Sequence, residues 1–220
     1  MAISAVLLAA PAAHASLAAA ATFDQKVANA AAIVLGKCVR QESRFDPSGR
    51  WILTYSTFQV EKTMKGSAMP EITIVTPGGQ VGTLHQTSSG IPAFQPGAEN
   101  VIFVKSSNLG PTVLYFDQGA YDVKSDEHGQ RIIAPVPSNL VKIDTQRGIA
   151  VAPDDTPQPL PQFEQRVNDT LRNEKTRMDL LAADKLRRDA SLWSVAKENR
   201  WTILIALAGI AFATWRLLRR

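Results

Sequence analysis

Trp51-Ile52-Leu53-Thr54-Tyr55-Ser56-Thr57-Phe58-Gln59-Val60-Glu61-Lys62 repeats with a period of two. Successive side chains of a strand point to opposite faces. Ile52, Thr54, Ser56, Phe58 and Val60 therefore share one face, and Trp51, Leu53, Tyr55 and Thr57 the other. Both faces carry apolar bulk at the start, so that end is expected to be covered on two sides. Upstream, Ala32 to Phe45 reads as a long partner strand, and Asp46-Pro47-Ser48-Gly49 between the two is a turn sequence. The pair predicts a long antiparallel hairpin, ended by Met64-Lys65-Gly66.

Working outward, short strands continue. Glu71 to Thr76 is stopped by Pro77-Gly78-Gly79, and Val81 to Gln86 precedes a loop from Ser88 to Gly97 that holds two prolines. Val101 to Lys105 is compact and apolar, as a central strand would be. Val113 to Asp117, Ala120 to Lys124 and Arg131 to Ala134 complete the set, the last two joined by the polar turn Ser125 to Gln130. Many short strands without a helical period imply a small antiparallel barrel or sandwich. The expected β domain spans residues 24–151 and folds alone.

The stretch Tyr55 to Lys62, followed by Met64-Lys65-Gly66 and Ile72-Thr73-Ile74-Val75-Thr76-Pro77-Gly78-Gly79, resembles a group of exported bacterial proteins of unknown function. Ser89-Gly90-Ile91-Pro92-Ala93-Phe94-Gln95-Pro96-Gly97 and Val101-Ile102-Phe103-Val104 carry the resemblance on. It covers roughly residues 31–123 and is similar to netrin-like modules, tissue inhibitors of metalloproteases among them. That resemblance implies an OB-type five-stranded barrel. Those inhibitors use an N-terminal cysteine and several disulfides, whereas Cys38 is the single cysteine here.

The two ends are apolar. Residues 1–21 have the character of an export signal: a short apolar core, Pro11, then Ala13-His14-Ala15 before Ser16, with a second small-residue site within 18–21. No Lys or Arg precedes the core, which suggests a true start upstream of Met1. Residues 201–218 read as one membrane-spanning helix edged by Trp201 and Trp215, followed by the cytoplasmic tail Arg219-Arg220. Cationic flanks stay cytoplasmic, so the domain is expected outside a bacterial cell membrane. Between barrel and anchor, residues 152–161 carry four prolines and Asp154-Asp155 and read as a linker. Residues 162–200 form a charged helical stalk, with Leu171, Met178, Ala182, Leu186 and Trp193 near one face and Asp184 and Arg188 at pairing distance. Weak self-association through this helix is a further expectation, although Glu174, Lys185 and Arg188 interrupt a coiled-coil seam.

Residues that could carry chemistry are scarce. The net charge of +4 is spread among acids, so no nucleic-acid surface is expected. Of three histidines, His14 leaves with the signal, His85 lies on a strand and His128 in a turn. Neither has a carboxylate at ligand spacing, so no metal is expected. Alternation puts Cys38 beside Val34 and Gly36, as a small buried hydrophobe. A Cys38–His85 nucleophile has no local support. Pro77 to Gly82 lacks the ending of a phosphate loop and reads as a turn. Asp126-Glu127 and Asp154-Asp155 read as solvated neighbours. No catalytic residue, metal ligand or cofactor site is assigned. The expected function is a membrane-anchored, non-enzymatic binding module of the envelope with a protein or glycan partner, to which Trp51, Tyr55 and Tyr121 could contribute. The alternative is an inhibitor or accessory subunit of an exported peptidase.

Overall fold

A computed structural model describes residues 16–151, 155–198 and 215. Two compact units result, residues 1–171 and 172–220. In the first, strands β1 (Ser16–Ala19), β2 (Ala32–Phe45), β3 (Ile52–Lys65) and β4 (Glu71–Pro77) are joined by the helix α1 (Phe23–Asn29) and by tight turns. Then come β5 (Gly79–Val81), β6 (Leu84–Gln86), β7 (Glu99–Ser107), β8 (Gly110–Val113) and β9 (Ala120–Ser125). β10 (Arg131–Pro135), β11 (Leu140–Asp144), β12 (Ile149–Ala150) and β13 (Gln158–Pro159) precede the helix α2 (Leu160–Glu198).

The main sheet runs β13-β10-β9-β7-β2-β3-β4, with β8 paired to β7. The expected hairpin of β2 and β3 is its centre, and it bends sharply. Register shifts fall between Ile33 and Val34, Leu35 and Gly36, and Cys38 and Arg40, and such bulges tighten local twist. Gly36 allows the bend: a Cβ there would meet the carbonyl oxygen of Gln59 at 2.6 Å. The curl brings β8 against β4. No ladder joins them, so the closed OB-type barrel expected from the strand pattern does not form. The sheet is mainly antiparallel, strongly curled and open.

The first half of β2, the middle of β7 and the start of β9 are buried on both faces, which is why Val101-Ile102-Phe103-Val104 is an unbroken apolar run. Their inner face joins Val34, Cys38, Ile102 and Ala120 to Phe58, Ile74 and Phe94. Cys38 is fully buried there, as alternation predicts. Their outer face joins Ile33, Leu35, Phe103 and Tyr121 to Phe23 and Val27 of α1 and to Phe163 and Val167 of α2. The α2 residues are the largest departure from expectation. Residues 152–161 do not end the core: helix α2 begins at Leu160, and Phe163 sits 5.4 Å from Phe23 and 5.2 Å from Tyr121, ring centre to ring centre. The compact unit therefore extends past residue 151 into the expected stalk.

Three local details also differ. α1 was not expected, yet Thr22 caps it: the Thr22 hydroxyl accepts from the Gln25 amide and the Gln25 side chain accepts from the Thr22 amide. Lys65 closes its other end, donating to the carbonyls of Val27 and Ala28 at 2.6 and 2.8 Å. The strand expected over Val113–Asp117 stops at Val113, because Tyr115 and Phe116 adopt left-handed backbone leading into a 3₁₀ turn, Phe116–Gly119. Ser16 to Ala19, part of the expected signal, pairs in parallel with β11.

In the second unit α2 continues as a single helix through Glu198. Met178, Leu181 and Leu186 are exposed, and Arg188 donates to Asp184 at 2.6 Å, the expected pair. Among the described residues no helix is long and apolar enough to cross a membrane. The expected span at 201–218 lies outside the described residues apart from Trp215, and the signal lies outside them up to residue 15.

Candidate functional site

Two polar sites stand out in the first unit. One is buried and charged; the other is open and neutral.

The buried site is built around Asp155. Lys26 of α1 forms an ion pair and hydrogen bond with its carboxylate. Tyr121 of β9 donates its hydroxyl to Asp155 Oδ2 at 2.7 Å, and the same hydroxyl accepts from Lys26 Nζ at 2.6 Å. Arg166 of α2 donates to Asp155 Oδ1 at 3.1 Å and stacks its guanidinium 3.8 Å from the centre of the Phe23 ring. The expected solvated carboxylate is thus 7% exposed and joins three elements. Burial alone would raise the Asp155 pKa, but Lys26, Tyr121 and Arg166 together hold it below the usual carboxylate value. Burial lowers Lys26 against the opposing pull of Asp155. Burial and then the Asp155 charge push Tyr121 well up. The cluster is a clamp that ties α1, β9 and α2 together at Asp155. Tyr121 cannot serve as an exposed ligand platform, as had been expected of it.

The open site is a groove of about 360 Å³. Its floor comes from the outer half of the β2–β3 hairpin and from β4: Gln41, Ser43, Thr54 and Thr76. The turn after β4 and the β5–β6 hairpin form one wall and the loop at 87–95 the other. Gln41, Ser43 and Phe45 alternate along one strand, so Phe45, 41% exposed, lies on the same face of β2 just beyond the lining of the groove. Thr54 gives its one hydroxyl proton to Gly78 O at 2.7 Å. In the 2.8 Å contact between Ser43 and Thr54, Ser43 must then be the donor. Its lone pairs are left to accept from an occupant. Gly79 permits this close floor, since at φ 130° a Cβ would lie 2.3 Å from the Thr54 hydroxyl and 2.4 Å from that of Ser43. Gln41 donates to Phe94 O at 3.0 Å and Gln86 accepts from Ile52 N at 2.8 Å, so both walls are tied to the hairpin.

No Asp, Glu, Lys or Arg lines this groove. Its polar groups are hydroxyls, carboxamides and His85. The Pro77–Gly82 stretch, expected as a turn, is instead the end of β4, Gly78 and strand β5, with the turn beginning at Gly82; its residues from Pro77 to Gln80 line the wall. Cys38 stays in the inner core, where its thiol faces Arg40 O at 3.7 Å and burial pushes its pKa up. A buried, protonated thiol is a poor nucleophile, and no hydrogen bond of the described residues links it to His85. His128 and Glu127 are exposed in the β9–β10 turn, which Asp126 organises by accepting from the amides of His128 and Gln130. Trp51 is exposed at the turn just before β3, and Tyr55 lies under Arg44 at 4.0 Å. Asp154 lies outside the described residues. Among the described residues no group of three or more His, Cys, Asp or Glu could hold a metal ion.

The chain matches no known protein family, no characterised protein and no solved structure.

Proposed function

We propose that this chain is an exported, membrane-tethered binding module without enzymatic activity, and that its groove holds a neutral glycan of the bacterial envelope. The observation that carries the reading is the groove's lining, which combines hydroxyls and carboxamides with no formal charge. Neutral sugars offer hydroxyl donors and acceptors in abundance and apolar ring faces. The Ser43 acceptor and the carboxamides answer the first; the exposed ring of Phe45 just beyond the floor answers the second. A charged ligand would leave its counter-charge unpaired in such a site.

Export and tethering rest on the sequence of the two ends. The pairing of Ser16–Ala19 with β11 favours a cut after Ala15 over one within 18–21, which would remove paired residues. Residues 201–218 supply the tether and Arg219-Arg220 its cytoplasmic end.

Titration of the purified full chain with neutral oligosaccharides from envelope digests, followed by calorimetry, tests the groove. Saturable heats that vanish in Ser43→Leu are the expected result. Retention of a peptidase from the same extract, with no glycan response, would favour the inhibitor reading instead.

A further inference from the structure

The loop that walls the groove also borders a second cleft of about 450 Å³, lined by Ile91, Ala93, Asp117, Asp122, Ser138 and Asn139 among others. No Lys or Arg lines it. Its two carboxylates are in different situations. Asp122 accepts from Asn100 Nδ2 at 3.1 Å and lies 3.8 Å from Lys124 Nζ. Asp117 is 4% exposed, and its Oδ2 accepts the Ser138 hydroxyl at 2.6 Å. Its Oδ1 is buried with no hydrogen-bond partner among the described residues. A carboxylate oxygen in that position normally has a donor, since leaving it unpaired forfeits its hydration without replacement.

We propose that Asp117 is the receptor for a primary ammonium group. An ammonium brings three donors; Asp117 Oδ1 and the Asp122 carboxylate are acceptors for it, and the Asn139 carboxamide oxygen, which already accepts from Gly90 N at 2.9 Å, has a second lone pair to offer. Ile91, Ala93 and Val136 supply an apolar wall for an alkyl stem. A divalent metal is a poorer fit, because the cleft offers two carboxylates and the described residues hold no larger acidic or histidine cluster.

Two sources of the ammonium fit the surroundings. One is a ligand. The other is the chain's own α-amino group, if export cuts after Ala15. β1 runs parallel to β11 with Ser16 opposite Leu140, one residue beyond Asn139 and two beyond Ser138. Gln118, next to Asp117, already grips the segment that follows: it donates to Ala19 O and accepts from Ala21 N, both at 2.9 Å.

The test uses amide-resolved NMR of the full chain in two forms, one starting at Met1 and one at Ser16, each titrated with n-butylammonium chloride and with neutral n-butanol. If a ligand is the source, both forms show saturable shifts at Asp117, Gln118, Ser138 and Asn139 with the ammonium. The response to butanol is at least tenfold weaker, and Asp117→Asn abolishes the effect. If the chain itself is the source, the Ser16 form is already shifted and silent, and acetylating its α-amine restores the response. Ser138→Ala, which removes the hydroxyl that holds Asp117 Oδ2 and so lets the carboxylate swing away from the cleft, should weaken binding several-fold and serves if Asp117→Asn does not fold. Equal responses to ammonium and alcohol, responses that survive both substitutions, or silence in both forms before and after acetylation would overturn the proposal. Ser43→Leu in the groove should leave all these shifts unchanged, so the groove's fate and this cleft's are decided separately.

Discussion

The face of the sheet under α1 and α2 and the groove at the outer half of the β2–β3 hairpin handle polar groups in opposite ways. Under the helices, Lys26, Tyr121, Asp155 and Arg166 are charged or strongly polar, largely buried and matched to one another. In the groove the polar groups are neutral, partly open to solvent and only internally pre-set. The difference separates what holds the fold from the surface proposed for recognition. Charge is kept where it is paired, and the open surface is left uncharged with unused acceptor capacity. Substitutions should divide along the same line.

The largest effect belongs to the helix-covered face. Phe163→Ala removes the ring that touches Phe23, Phe103 and Tyr121 together, and should cost about 3–5 kcal/mol in urea unfolding. A chain ended at residue 151 lacks Asp155, Phe163 and Val167 and should not give a cooperative transition. If it unfolds cooperatively at near-native denaturant, the core closes before the helix and the comparison fails. Next comes Asp155→Ala, which strands Lys26 in the core. Removing one partner of a buried pair costs about 3–5 kcal/mol. Lys26→Met added to Asp155→Leu should recover most of it, because the desolvated charges then disappear together.

The same clamp sets the acid limb. The native pKa of Asp155 is depressed, so its contribution is present above the unfolded carboxylate value near 3.9 and is lost as pH falls through the lower native value. Chemical unfolding at stepped pH should show this loss in the native protein and a flatter limb in Asp155→Asn. A smaller effect is expected from Cys38→Ala, about 1 kcal/mol or more from lost burial. The thiol should react with iodoacetamide only as the protein unfolds.

Much of the sheet was legible in the sequence, and the reasons are local. β2 begins and ends where its apolar run and the Asp46-Pro47-Ser48-Gly49 turn place it, and the unbroken run at Val101–Val104 marked a strand buried on both faces. The capping box of Thr22 and Gln25 is a readable local signal for α1, overshadowed by the alanine-rich segment before it. Other features depend on partners far along the chain. Asp155 sits among prolines and looks solvated until Lys26, 129 residues away, meets it. Tyr121 follows the strand pattern of an ordinary alternating residue, and only packing decides that it points under the helices. The groove could not be read from spacing either, because its floor and walls come from five separate strands and a loop. Strand count suggests a barrel, but only a ladder between β4 and β8, which is absent, would close the curl into one.

The groove is the smallest term for stability and the most direct test of function. Ser43→Leu fills the floor from a half-buried position and should shift the urea midpoint little. Calorimetric titration of the full chain and this variant with the same neutral envelope oligosaccharides therefore measures recognition nearly free of folding. Saturable binding by the native chain, insensitive to salt because no lining residue is charged, and absent in the variant is the predicted result. Equal binding by both chains, or binding that salt abolishes, would contradict a neutral glycan held in this groove.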